Sequence, residues 1–227
     1  MEKITYLIPC YNEVDTIDKA ITNIKNISYP RKEIIVIDNG SNDGSQKVIK
    51  KIQGIKKILR KKNLGIGTTI QEGFKISKGD FLFIYDSDLE YDHLRSIYMM
   101  RYAVTNKLDV VFGSRFNKND SRIIKIIERP YFFGTVICTY LINKFYKKNF
   151  TDIIGAKLFR VAEIRKVTVD NFNIGYDFNF TSKIIKMKLK IGEVFIKYKP
   201  REKGEKKLKY YHLFIAIYQI FKVKFFK

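Results

Sequence analysis

Apolar positions in the first half of the chain come in short runs, each followed by a polar turn and then by apolar residues at helical spacing. Ile4-Thr5-Tyr6-Leu7-Ile8-Pro9 is β-branched-rich and reads as a strand, and residues 15–26 repeat apolar side chains every three or four positions, the spacing of a helix face. Residues 33–38 (Glu33-Ile34-Ile35-Val36-Ile37-Asp38) are almost wholly apolar, as a strand covered on both faces must be. Ser45 stands where it can cap the next helix, residues 55–60 predict a third strand, and Asn63-Leu64-Gly65-Ile66-Gly67 opens a helix through Lys78. Residues 80–85 and 108–113 predict two more buried strands. Alternation with connections this short implies an α/β fold, a Rossmann-like, doubly wound, mostly parallel sheet flanked by helices. Such sheets bind ligands at the carboxyl ends of their strands. Asn12-Glu13, Asp38-Asn39, Asp86-Ser87-Asp88 and Ser114-Arg115 each follow a strand directly, so all four polar clusters are expected on one edge.

Beyond residue 121 the pattern loosens. Residues 123–146 predict a long apolar helical stretch interrupted at Arg129-Pro130; residues 151–160 predict a turn and strand, 176–188 a helix, and 192–199 a strand. Residues 210–227 mix aromatic and aliphatic side chains with Lys222, Lys224 and Lys227. That segment is shorter than the roughly 20 uncharged residues a membrane span needs, and fits an interfacial amphipathic helix or a helix packed on its own domain. The expected organisation is one domain over residues 1–208 and a basic amphipathic C-terminal helix over 209–227, with no room for a membrane-spanning extension.

Composition adds a charge asymmetry. The chain of 227 residues carries a net charge of +21, with a hydrophobic content of 45% that excludes a disordered basic tail. Residues 1–120 hold 20 basic and 15 acidic side chains, whereas residues 183–227 hold 14 and 3. A biased coding composition explains part of the lysine surplus but not its position. The surplus points to a polyanionic partner: nucleic acid, an acidic membrane surface or a phosphorylated substrate. Cys10 and Cys138 lie far apart without a paired partner, which excludes a disulfide scaffold and a cysteine zinc site and suggests a reducing compartment. No secretory leader is visible, so a cytoplasmic location is expected.

The candidate chemistry sits in the polar turns. Asp86 and Asp88 project to the same side because side chains alternate along a strand, and two adjacent carboxylates call for a divalent cation between them and a phosphate. Glu90 can add a third oxygen, and the donor set suits Mg²⁺ or Mn²⁺. Asp38 can accept hydrogen bonds from a base or ribose, or simply close its turn. Arg115 offers a guanidinium that matches a diphosphate bidentately. The glycine-rich turn at 39–44 matches neither a dinucleotide fingerprint nor a phosphate loop, which excludes NAD-dependent chemistry. His93 and His212 stand alone, without the partners a nucleophilic triad requires.

Together these segments resemble the inverting glycosyltransferases of family 2, which have the GT-A fold. The matching blocks are Ile8-Pro9-Cys10-Tyr11-Asn12-Glu13, Val36-Ile37-Asp38-Asn39-Gly40-Ser41, Asn63-Leu64-Gly65 with Gly73-Phe74, Asp86-Ser87-Asp88-Leu89-Glu90 and Gly113-Ser114-Arg115-Phe116. Gly155-Ala156-Lys157-Leu158-Phe159-Arg160 is similar to a further block. Glu193-Val194 through Arg201, Lys203-Gly204-Glu205-Lys206-Lys207-Leu208 resembles the dolichyl-phosphate mannose synthase branch. Departures are Asn39 for the second Asp of the nucleotide turn, Glu90 for Gln, Phe195 for Pro and Lys206 for Ser.

The resemblance implies that Pro9, Tyr11, Glu13, Asp38, Asp86, Ser87, Asp88 and Arg115 bind a nucleotide-sugar donor, with GDP-mannose expected. It places Mg²⁺ or Mn²⁺ on Asp86, Asp88 and Glu90, with Asp88 and Arg115 supporting departure of the nucleotide. Arg129, Arg201 and Lys207 are cations for an acceptor phosphate or the diphosphate. A phosphate monoester is already ionised at neutral pH and attacks unaided, whereas a sugar hydroxyl needs a base. Asp177 is the candidate base, or else a carboxylate favoured by a helix N-terminus. The implied acceptor is a polyprenyl phosphate, met peripherally at the cytoplasmic face of a membrane, with or without a membrane-anchoring partner. The alternatives are transfer to a hydroxyl of a cell-surface glycan or lipid and, more remotely, a basic nucleic-acid binder. No nucleic-acid partner is expected, because no recognition motif for one is present.

Overall fold

The computed structural model describes residues 1–117, 119, 121, 126–127, 130, 132–170, 175–199 and 211–226. Seven strands form one sheet in the order β3-β2-β1-β4-β6-β5-β7: β1 (Ile4–Cys10), β2 (Lys32–Asp38), β3 (Lys56–Leu59), β4 (Phe81–Ile84), β5 (Val110–Ser114), β6 (Ala156–Arg160) and β7 (Ile191–Phe195). The helices are α1 (Ile17–Lys25), α2 (Ser45–Lys51), α3 (Ile66–Ile76), α4 (Arg95–Thr105), α5 (Phe132–Tyr146), the single turn α6 (Val161–Ile164), α7 (Tyr176–Lys186) and α8 (His212–Phe226).

The expected α/β architecture, a mostly parallel sheet covered by helices, is the one observed. Alternation within each strand feeds two cores. Tyr6, Ile8, Val36, Phe83 and Tyr85 pack toward α1 and α4, while Leu7, Ile35, Ile37, Leu82 and Ile84 pack with Phe74, Phe159 and Phe180 on the opposite face. Burying each such side chain contributes about 1.5–3 kcal/mol, which is why the central strands are continuous apolar runs.

The departure from a uniformly parallel sheet is β6, which runs antiparallel to both β4 and β5. After α5 the chain re-enters the sheet from its ligand edge, so β6 must point the other way. Its entry is tight: a Cβ on Gly155 would lie 1.8 Å from the Gly113 carbonyl oxygen, so no larger residue fits between the strands. The reversal puts the start of β6, rather than its end, beside the carboxyl ends of β4 and β5.

Helix α5 begins at Phe132, just beyond the interruption expected at Arg129-Pro130. One sequence boundary shifts. Strand β7 ends at Phe195, and the chain beyond it crosses to the end of β4, where Tyr198 bridges Tyr91 and the Lys199 amide donates to the Glu90 carbonyl at 2.9 Å. Helix α8 packs on α5 and α7 and buries Ala216, Ile220 and Val223. Among the described residues no helix is long and apolar enough to cross a membrane.

Candidate active site at the carboxyl edge of the sheet

The ends of β1 and β2 are laced together by side chains bonding to backbone amides. The amides of Asn12, Glu13 and Val14 donate in turn to Ser41 Oγ (2.9 Å), Ser45 Oγ (3.0 Å) and Asp43 Oδ2 (2.9 Å). Burial disfavours charge on Asp43, but the Ser45 hydroxyl and the Ser45 and Val14 amides outweigh it and hold its carboxyl below the usual range. Asn12 has a φ of 53° and Gly40 a φ of 84°, left-handed conformations that fold both turns sharply back over the strand ends. A Cβ on Gly40 would lie 2.5 Å from the Lys62 carbonyl carbon, so that turn requires glycine.

Asp38 lies wholly buried beneath this frame. Its Oδ1 accepts the amides of Gly40 (3.0 Å) and Ser41 (2.9 Å) and the Gln46 side-chain amide (2.6 Å). Oδ2 is buried with no hydrogen-bond partner among the described residues. An orphaned buried carboxylate oxygen costs about 1–3 kcal/mol or more, and at a ligand edge it is an acceptor ready for a donor group. Asn39 is committed to the scaffold: its Oδ1 accepts Arg60 (2.8 Å) and the Leu64 amide (3.1 Å), and its Nδ2 donates to Asn63 (2.8 Å). An Asp there could not make the last of these bonds, which accounts for Asn39 in terms of this chain's own loop.

The end of β4 gathers the negative charge. Ser87 donates to the Pro9 carbonyl at 3.1 Å and joins the β4 turn to β1. The Glu90 amide donates to Asp88 Oδ1 at 3.2 Å across Leu89, a bulky residue held at a φ of 64°. Burial first, then the Asp88, Asp177 and Glu90 carboxylates, against the Lys157 ammonium that lowers it, together raise the Asp86 carboxyl to about 8. Burial, then Asp177 and Asp86, push the Tyr176 phenol well above its usual value, so it stays neutral.

The carboxylates suit a hard divalent cation by chemistry and by excess charge. Among the described residues, however, no three His, Cys, Asp or Glu side chains come close enough to cage an ion alone. A metal here would rest on one or two carboxylates and draw its other ligands from substrate phosphates and water, the usual Mg²⁺ arrangement.

Replacing Asp86 with Asn should therefore stabilise the metal-free protein in a pH-dependent way. A carboxyl raised from 3.8 to about 8 binds its proton more tightly in the folded state, so the stability it gives is complete below pH 4 and is lost as pH rises to 8. Thermal melts of Asp86→Asn and the parent should coincide near pH 4 and diverge toward pH 8. The variant should gain about 2–4 °C for each kcal/mol of repulsion relieved. A difference independent of pH would contradict the assignment.

One cation stands against these carboxylates, and a second nearby strand-end cation is paired elsewhere. Lys157, at the start of β6, is buried; it donates to Asp177 Oδ1 at 2.7 Å and to the Ile154 and Gly155 carbonyls at 3.2 and 3.3 Å. Asp177 lies in the first turn of α7, and this ion pair aims its carboxylate toward the β4 turn rather than leaving it as a helix-terminus charge. Arg115 has a different first partner from the diphosphate that its sequence position suggested. Its Nε and Nη2 grip Asp152 at 2.6 and 3.0 Å, its amide donates to the same carboxylate at 3.1 Å, and its guanidinium carbon lies 4.8 Å from the Phe132 ring centre and 5.7 Å from that of Tyr198. Glu193 in turn accepts the Thr151 and Asp152 amides at 2.9 Å.

The carboxyl edge thus assembles Pro9, Glu13, Asp38, Asp86, Ser87, Asp88, Glu90, Arg115 and Asp177, with Tyr11 exposed at the rim. Arg129, Arg201 and Lys207 lie outside the described residues. Asp152 completes the network without having been named from the sequence, as do Lys157 and Glu193, which fell within family-matching blocks but were given no role. The available signal was a charged residue inside the apolar run 153–159 and a buried-strand glutamate at 193.

Comparison with known proteins agrees with this architecture. The family model "Glycosyl transferase family 2" matches residues 5–168. The poly-beta-1,6-N-acetyl-D-glucosamine synthases of Staphylococcus aureus (strain MSSA476) and Staphylococcus epidermidis are each 30% identical over 142 residues, 61% of this chain. The match spans 34% of those proteins, so the chain corresponds to about a third of their length. Glucosyl-3-phosphoglycerate synthase from Mycobacterium tuberculosis, in complex with Mn²⁺, UDP-glucose and phosphoglyceric acid, superposes with a TM-score of 0.73 at 16% identity, covering 98% of this chain and 79% of that one. A mannosyltransferase from Pyrobaculum calidifontis in complex with GDP-Man and Mn²⁺ gives a TM-score of 0.64 at 15% identity, covering 89% and 58%. With the family model covering well over half the sequence and the fold in agreement, this chain belongs to glycosyl transferase family 2.

Proposed function

We propose that the chain is an inverting, metal-assisted glycosyltransferase that moves a sugar from a nucleotide-sugar donor, GDP-mannose in our reading, to a polyprenyl (dolichyl-type) phosphate. The observation that carries the donor half is the convergence of the four strand-end turns, with Asp38 Oδ2 a buried acceptor unpaired among the described residues, on the same sheet edge as the β4 carboxylates. Asp38 would accept from the base or ribose, within the frame built by Pro9, Tyr11, Asn12 and Glu13. A Mg²⁺ or Mn²⁺ ion resting on one or two of the carboxylates Asp86, Asp88 and Glu90 would supply Lewis-acid stabilisation of the departing diphosphate. The mannosyltransferase with GDP-Man and Mn²⁺ on the same fold supports this donor and metal.

The acceptor oxygen attacks the anomeric carbon from the face opposite the diphosphate. The bond to the leaving oxygen breaks, its electron pair stays on the diphosphate, and the configuration inverts. An ionised phosphate monoester needs no proton acceptor. Support for that acceptor comes from Lys199, hydrogen-bonded beside Glu90, where the chain enters the Lys-rich run that continues to Lys209 in the sequence. Such an enzyme would work peripherally at the cytoplasmic face of a membrane, with or without an anchoring partner.

A second reading, transfer to a sugar hydroxyl, is favoured by Asp177, which lies close enough to raise Asp86 and could take the hydroxyl proton. The poly-N-acetylglucosamine synthase relatives lend it weight. Incubation with radiolabelled GDP-mannose, Mn²⁺ and polyprenyl phosphate should give a lipid product whose sugar is released by mild acid. If label passes only to a glycan hydroxyl, or only from a UDP-sugar, the mannosyl-lipid reading fails.

A further inference from the structure

We infer that the outward face of α8, together with α5, is a docking surface for an anionic lipid bilayer. Helix α8 is apolar on both sides. One side packs into the domain through Ala216, Gln219, Ile220 and Val223. On the other, Phe214, Tyr218, Phe221 and Phe225 recur at intervals of four, three and four, which places them on one stripe. They are exposed: Phe214 by 74%, Tyr218 by 60% and Phe225 by 60%. Helix α5 lies alongside, with Phe145 packed at ring distances of 5.0 Å from Phe221 and 6.0 Å from Phe225, and it exposes Phe133 and Tyr140. Scattered apolar residues on a surface are ordinary, whereas a contiguous aromatic stripe marks a binding face.

Charge identifies the occupant. Neither residues 132–150 nor residues 211–226 contain a single Asp or Glu. Exposed Lys144, Lys147 and Lys148 stand at the end of α5 beside the Phe221–Phe225 part of the stripe. Lys224 reaches across to the Phe145 carbonyl at 2.7 Å. Aromatic rings bordered by lysines, with no acidic residue among them, suit the headgroup region of an anionic leaflet. Protein interfaces are instead depleted in lysine.

The face also adjoins the site. A Cβ on Gly175, the residue before α7, would lie 3.3 Å from Gln219 Cγ and 3.5 Å from the Ala216 backbone, so the helix carrying Asp177 starts against the middle of α8. The inference fits the lipid-phosphate reading but is carried by this surface alone.

Vesicle flotation of the intact chain tests it. The protein should float with phosphatidylcholine vesicles containing roughly a third phosphatidylglycerol, and much less with phosphatidylcholine alone. Combined Phe214→Ser, Tyr218→Ser and Phe225→Ser changes should weaken that binding by about tenfold or more, as should Lys144→Gln with Lys147→Gln and Lys148→Gln. Melting curves establish that the variants fold. Because the chain has no tryptophan, Tyr218→Trp provides a clean reporter, and its emission should shift to the blue when anionic vesicles are added. Absence of flotation, flotation indifferent to the Phe and Tyr substitutions, or a blue shift that follows protein concentration instead of lipid would each overturn the inference. Flotation with no transfer to any lipid phosphate would leave the docking face standing and fail the acceptor reading.

Discussion

Asp88→Ala should lower sugar transfer by about a thousandfold or more, with a melting temperature at or above that of the parent. Two features of the β4 turn set these signs. Asp88 is the largest charged contributor, after burial itself, to the raised carboxyl of Asp86, so removing it relieves repulsion in the folded state. In the proposed function it would also, with Asp86, bring a divalent cation to the diphosphate. A loss of that size corresponds to about 4 kcal/mol of transition-state stabilisation, within the range expected for an electrostatic group acting on a leaving group. Asp88→Asn separates the charge from the fold of the turn, since its side-chain oxygen can still accept the Glu90 amide across the left-handed Leu89. Initial rates with labelled nucleotide sugar, and the rise in melting temperature on adding Mn²⁺, should both collapse in Asp88→Asn as in Asp88→Ala. Unchanged turnover in either variant would sink the metal assignment at this position.

The donor edge was legible in the sequence because its information is local. A buried strand is a continuous apolar run, and the residue that ends it faces a fixed edge. Thus Asp38 and Asp86 could be placed together without knowing the strand order. Asp177 was placed at a helix start, but its role depends on Lys157, which belongs to another element. Lys157 and Asp152 were not legible for a related reason. Their importance comes from β6 entering the sheet antiparallel at the ligand edge, a topological fact set by the Thr151–Gly155 turn packing on β5. Periodicity reports which face a residue takes, not the direction its strand runs. The C-terminal helix shows a further limit. Its apolar residues cover the whole circumference, so the sequence carried both a packed and an interfacial reading, and the structure has one side buried and the other exposed.

Arg115→Met should cost about 3–5 kcal/mol of stability, the usual penalty for leaving one partner of a buried ion pair uncompensated, and lower the melting temperature by roughly 10 °C. Asp152 is fully buried and receives two guanidinium hydrogen bonds as well as the Arg115 and Ile154 amides. Burial raises its carboxyl, but Arg115 and these bonds outweigh that and hold it below its usual value of 3.8. A depressed carboxyl binds its proton more weakly folded than unfolded, so the pair's contribution is complete above pH 4 and is lost as pH falls through the folded value. The gap between parent and Arg115→Met should therefore close in acid. Adding Asp152→Asn to Arg115→Met should recover part of the loss, and the double-mutant cycle should give a favourable coupling between the two residues. The same series decides what Arg115 does in catalysis. A guanidinium spent on Asp152, Phe132 and Tyr198 holds the wall between β5 and the segment leading to Lys199, and its removal should lower stability first and weaken donor and acceptor binding alike. Removing a guanidinium that grips the diphosphate would instead raise the donor KM selectively, with the melting temperature nearly unchanged.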